Sequence, residues 1–242
     1  MRRILITISL LFAISGISAG AGPKISENGN KHNFSSSNIG VKYRATDGGD
    51  PRSNQICVFC HTPHHSSSEG PLWNRRATAV SFFKRYSSRT LAIDDAGAVG
   101  ISEYGQPSGS SRLCLSCHDG VTALGAVFTT PGSVSNVDIP FNKNTIGYET
   151  YSSHHPVSFK YNQAVRNLLR APPYGKAFHV DAPANVKLDK QERMQCTTCH
   201  DPHQNKAIDP DNPTTPFWST TTYDNACMSC HDITPLVIPW NP

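Results

Sequence analysis

The chain has 242 residues, of which 37% are hydrophobic, with 18 prolines, 17 glycines and a formal net charge of +4 at neutral pH. So little apolar side chain struggles to offset the entropy of ordering the backbone, so either part of the chain stays unfolded or something other than side chains supplies the core. The charge falls to about +2 without Arg2 and Arg3, and no basic run or cationic amphipathic stretch points to nucleic acid or a membrane surface.

Met1-Arg2-Arg3, the apolar run Ile4 to Ile17 and the small residues Ala19-Gly20-Ala21 read as a signal peptide over residues 1–21, cut after Ala21. The run of about 14 residues is short for a span of about 20, and no later segment is longer or more apolar, so the mature chain is expected to be exported with no membrane span. Residues 22–130 read as a first unit. It opens on a polar arm, Lys24 to Ser37, that carries His32. Cys57-Val58-Phe59-Cys60-His61 follows, running on into Thr62-Pro63-His64-His65, and then Pro71-Leu72-Trp73. A short helix is expected at Val80 to Arg89, then Cys114-Leu115-Ser116-Cys117-His118-Asp119, then a second helix at Val121 to Phe128. Residues 131–150, rich in Gly, Pro and Asn, form a linker.

Residues 151–242 read as a second unit in the same order. His154-His155-Pro156 comes first, with helices expected at Asn162 to Arg170 and Lys190 to Cys199, and His179 between them. The latter helix carries Cys196-Thr197-Thr198-Cys199-His200, continuing to Asp201-Pro202-His203. Pro216-Phe217-Trp218 and Cys227-Met228-Ser229-Cys230-His231-Asp232 close the unit. The first and third motifs share Cys-His-x-Pro-His, the second and fourth share Ser-Cys-His-Asp, and a Pro-apolar-Trp lies between each pair. This order reads as the duplication of a two-motif unit.

All eight cysteines fall in pairs at Cys-x-x-Cys spacing. A disulfide framework or structural zinc would also use such pairs. What separates the readings is the next residue, which is histidine in all four cases although histidine makes up only 11 of 242 residues. Cys-x-x-Cys-His is the attachment signature for c-type haem. Two cysteines three apart sit about one helical turn from each other, matching the two vinyl groups that become thioethers, and the adjacent histidine points at the iron. Four covalent haems are therefore expected, on Cys57 and Cys60, Cys114 and Cys117, Cys196 and Cys199, and Cys227 and Cys230. Their proximal ligands are His61, His118, His200 and His231.

The repeat also selects distal ligands. One upstream histidine and one x-Pro-His per unit give His32, His64, His155 and His203, the number that four low-spin bis-histidine irons require. His155 is preferred over His154 because Pro156 extends the chain after it, and His64 over His65 because it aligns with His203. Three residues are too few to carry His64 or His203 round a porphyrin edge, so each is expected to serve a haem other than that of its own motif. Met194 and Met228 lie too close to their own motifs to swing to a distal face. Six-coordinate iron leaves no open position for substrate, so electron transfer rather than enzymatic turnover is expected. With about 55 mature residues per haem, the fold expected is mostly irregular coil with a few short helices and little sheet, wrapped round a haem stack.

Lys31-His32-Asn33, Cys57-Val-Phe-Cys-His-Thr-Pro-His64, Pro71-Leu-Trp-Asn74, Cys114-Leu-Ser-Cys-His-Asp119, His155-Pro-Val157 and Cys196-Thr-Thr-Cys-His-Asp-Pro-His203 resemble the doubled-CxxCH multihaem cytochromes. Motif order and size resemble, more narrowly, the OmcE-type extracellular cytochromes of metal-reducing bacteria. That resemblance implies a homopolymeric filament with a continuous haem chain, in which a histidine of one subunit ligates a haem of the next. The polar arm makes His32 the candidate for that role. It implies further a secreted, cell-surface location and redox partner proteins or extracellular acceptors such as metal oxides. A discrete periplasmic electron shuttle is the alternative. A multihaem reductase would need an open iron, and no attachment motif here carries Lys in place of His. The 31-residue spacing of the last two motifs, against 57 in the first unit, departs from a strict repeat and leaves the pairing of haems with distal ligands open.

Overall fold

The computed structural model describes residues 25–26, 30–39, 41–46, 51–83, 105–129, 154–170, 185–203, 217–220 and 223–231. The signal peptide, the 131–150 linker, His179 and most of the expected helix at Val80 to Arg89 lie outside them. Within them the chain is mostly coil. Four short helices, α1 (Gly109–His118), α2 (Gln163–Arg170), α3 (Cys196–Cys199) and α4 (Tyr223–Met228), join two 3-10 turns at Pro51–Asn54 and Cys57–Phe59. Among the described residues strand pairing is limited to isolated bridges, and no helix is long and apolar enough to cross a membrane.

The helices follow the cysteine motifs. Each Cys-x-x-Cys lies wholly or partly in a helical turn: the 3-10 turn at Cys57–Phe59, the end of α1, all of α3 and the end of α4. The expected helix at Asn162 to Arg170 is α2, whereas that at Lys190 to Cys199 shrinks to α3. Asp189 accounts for the shrinkage. Its carboxylate accepts the N–H groups of Gln191 (2.8 Å) and Arg193 (2.9 Å), holding residues 189–193 in a turn. Val121 to Phe128 is likewise a run of turns. Asp119 takes the N–H groups of Val121 and Thr122, and Val127 bridges to Arg75.

Two small apolar clusters lie at the cysteine motifs. Phe34, Ala45, Phe59 and Leu124 form one, with Tyr43, Val58, Cys60 and Cys117 packed against it. Phe83, Leu115 and Val157 form the other, with Val80 and Cys196 against it. Polar side chains do the rest, because a coil leaves backbone groups that neither helix nor sheet satisfies. Fully buried Asn38 donates to the carbonyls of Asn30 (3.0 Å) and Asn33 (2.8 Å). Asn74 donates to Val58 O and Thr129 O while its own oxygen accepts Thr129 N–H (2.7 Å). The polar arm therefore uses its polarity internally: Asn30, Asn33, Ser35 and Asn38 are all buried.

α1 and α3 pack together and bring the second and third motifs side by side. Ser111 of α1 donates to Gln195 Oε1 (2.6 Å) and accepts Cys196 N–H (2.9 Å), and the Cys114 and Cys196 thiols lie within hydrogen-bond reach of each other. Gly109, at the start of α1, has a left-handed φ of 53°, and a Cβ there would meet Gln195 Nε2 at 2.9 Å. Both the conformation and the close approach call for glycine.

Candidate metal centres

None of the eight cysteines is paired in a disulfide, so no such bond ties the four motifs. Among the described residues no three or more His, Cys, Asp or Glu side chains converge as a structural zinc site would require. The histidines instead come together in twos, each joining a residue that follows a Cys-x-x-Cys to a distant one. Ring centroids lie 6.1 Å apart for His118 and His32, 6.2 Å for His61 and His203, and 6.3 Å for His231 and His155. Two imidazoles bound to one metal ion from opposite sides need about 2 Å for each metal–nitrogen bond and about 1.1 Å from each nitrogen to its ring centre, roughly 6.2 Å in all. Interplanar angles of 75°, 16° and 77° are compatible with this, since rotation about a shared axis leaves the spacing unchanged.

The distal member of each pair is also prepared at its other ring nitrogen. His32 Nδ1 lies 3.2 Å from Pro202 O, His155 Nδ1 2.8 Å from Pro156 O, and His203 Nδ1 3.3 Å from Asp201 Oδ1. An acceptor at Nδ1 fixes the N–H there and leaves Nε2 with its lone pair, the usual outer-shell arrangement of a metal-binding histidine. Phe217 stacks on His32 at 4.5 Å and 11°. Burial, reinforced by His118, pushes His32 down to about 4, which keeps it neutral, the form that can ligate.

The proximal side repeats a backbone clip. His61 bridges to Trp73 and His200 to Trp218. Thr62 N–H donates to Leu72 O and Asp201 N–H to Phe217 O, both at 2.7 Å; Asn74 N–H meets Cys60 O at 2.8 Å and Ser219 N–H meets Cys199 O at 2.7 Å. Leu72 and Phe217 both adopt left-handed φ values, 57° and 50°. Each clip sets a tryptophan against its histidine, at 5.5 Å for His61 and 4.8 Å for His200. Trp73 Nε1 is buried with no hydrogen-bond partner among the described residues, a donor that a carboxylate-bearing cofactor would satisfy.

The structure thus brings three expected distal ligands opposite three proximal histidines, in pairings that motif order leaves open. His203 stands across from the first motif and not its own. His32 lies inside the chain, between His118 and Phe217, rather than at the end of a free arm. His64 is exposed, and among the described residues its imidazole has no ring or hydrogen-bond partner. His65 is exposed beside it, with φ 58°. The residues fit covalently held macrocycles with axial histidines: thiol pairs one turn apart, opposed imidazoles at metal-bridging distance and an unsatisfied buried donor. No protein-family model and no curated protein matches the chain.

Proposed function

We propose that this protein is an exported electron-transfer cytochrome carrying four covalent haems c, and that it polymerises through His64. The observation that carries the reading is the set of three proximal–distal histidine pairs at 6.1, 6.2 and 6.3 Å. Bound haem supplies one-electron chemistry at iron. The chain's part is to attach, orient and enclose it. The eight cysteines form the thioethers, and His61, His118, His200 and His231 are the proximal ligands. His203, His32 and His155 would close the first, second and fourth sites to a substrate, and the third is left for a histidine of a neighbouring subunit. The α1–α3 contact holds the second and third motifs close enough for electrons to pass between the two units.

His64 deepens the filament reading and moves its key residue. His64 and His203 occupy equivalent places after their motifs, and His203 already reaches across to the other unit. Repeating that reach between copies carries outward-facing His64 to the first motif of a second unit in a neighbouring subunit. A contact that does not close on itself makes an open filament. His32, enclosed beside His118, serves within its own chain. Redox proteins or extracellular acceptors such as metal oxides are the partners this reading implies.

The test begins with the matured protein's mass and pyridine haemochrome spectrum. Four haems, low-spin by electron paramagnetic resonance, are expected; an unmodified or zinc-loaded chain overturns the reading. Electron microscopy of material sheared from cells is expected to show filaments for wild type and His32→Ala and none for His64→Ala. Replacing His32, His155 or His203 by Ala is expected to turn one of four haems high-spin. Single-subunit particles in the wild type would instead make the protein a discrete periplasmic shuttle.

A further inference from the structure

Arg75 is only 2% exposed, among the largest fully buried side chains of the described residues. Its guanidinium donates from Nη1 to Leu124 O (2.8 Å), from Nη2 to Ser116 O (3.1 Å) and Ala123 O (3.0 Å), and from Nε to Ser116 O (3.3 Å). No carboxylate among the described residues lies within ion-pair range of it. Carbonyl dipoles solvate this cation without cancelling it, and arginine keeps its charge at any working pH.

Its position is set from both sides. Asn74 N–H bonds Cys60 O, which ties the preceding residue to the first motif, while Ser116 O lies between the two cysteines of the second. The Cys60 and Cys117 thiols share the apolar cluster beside it. On the second-motif side the completely buried carboxylate of Asp119, two residues after Cys117, offsets part of the Arg75 charge, whereas the matching place after Cys60 holds buried, neutral Thr62. In the second unit the same place in the clip, two residues after the tryptophan, holds buried, neutral Thr220.

Resting on the four-haem reading above, we infer that Arg75 is a potential-setting residue that raises the reduction potential of the first-motif haem, and less strongly that of the second. The reason is Coulombic. Reduction of ferric to ferrous iron takes up one electron and removes one positive charge, so a buried cation nearby favours the reduced state and is little screened by salt.

The experiment is spectroelectrochemical titration of matured wild type, Arg75→Lys and Arg75→Met, after haem count and spin state have been read. For Arg75→Met we expect reduction of one or two of the four haems to become about tenfold less favourable, about 59 mV lower for one electron. Arg75→Lys keeps the charge and is expected to stay close to wild type. Equal shifts in both variants, or none, would show that Arg75 is only a clamp on the 116, 123 and 124 carbonyls. Should Arg75→Met fail to mature, Arg75→Gln keeps a donor for Ser116 O and is read against the same expectation. Wild type with fewer than four low-spin haems overturns the proposed function itself, whereas four haems with unmoved potentials overturns only the role of Arg75.

Discussion

Asn74 shows how single polar residues carry this fold. It is completely buried, and its amide joins the first motif, through Val58 O, to residue 129 through both Thr129 O and Thr129 N–H. Removing the amide strands two partly buried carbonyls and one N–H, each costing about 1 kcal/mol, the low end for such groups. Asn74→Ala is therefore expected to destabilise the matured protein by about 3 kcal/mol, read from its guanidinium unfolding midpoint. Asparagine at this place reads as a loop residue in sequence, and only the burial identifies it as a tie. The arm around His32 teaches the same lesson in reverse: polarity that suggests a solvated, free segment is spent locally, Asn38 donating to the carbonyls of Asn30 and Asn33 while Asn30 and Asn33 accept the N–H groups of His32 and Ser35.

At the level of elements, the turn before α3 sets where the third motif stands. Asp189 holds Gln191 N–H, Arg193 N–H and Gln195 Nε2 (2.8 Å), and Gln195 in turn accepts the Ser111 hydroxyl from α1. Burial works to raise the Asp189 carboxyl, but the bonds from Gln195, Arg193 and Gln191 outweigh it and hold it below the usual 3.8. A carboxyl lowered in the folded state adds stability that is fully present above its ordinary value and is lost as pH falls below 3.8 toward the lowered one. Urea midpoints of wild type and Asp189→Asn are thus expected to differ at pH 5 and to approach each other as pH is lowered below 3.8. A difference that does not change with pH would assign the effect to geometry rather than charge. Sequence periodicity extends a helix through this turn because it sees Gln191 to Arg193 as good helix formers and not the carboxylate that captures their N–H groups.

For the whole molecule, motif cysteines are part of the apolar packing: Cys60, Cys117 and Cys196 line the clusters around Phe34 and Phe83. On the four-haem reading the macrocycles complete that packing, and the chain without them is expected to be unfolded. Far-ultraviolet circular dichroism of protein made without haem maturation should show coil and no cooperative thermal transition; a cooperative transition at wild-type temperature would make the clusters sufficient. The sequence by itself determined the coil-rich character, the four Cys-x-x-Cys-His motifs, the tryptophan recurring between them and the short list of partner histidines. These are local properties, set by residue spacing and by prolines and glycines that end helices within a few residues. Only the tertiary structure decided that His203 faces His61, His32 faces His118 and His155 faces His231, that His64 faces outward, and that a buried arginine lies between the first two motifs. Those choices join segments tens of residues apart, and packing rather than spacing fixes them, because chain closure over such lengths discriminates only weakly between alternative partners.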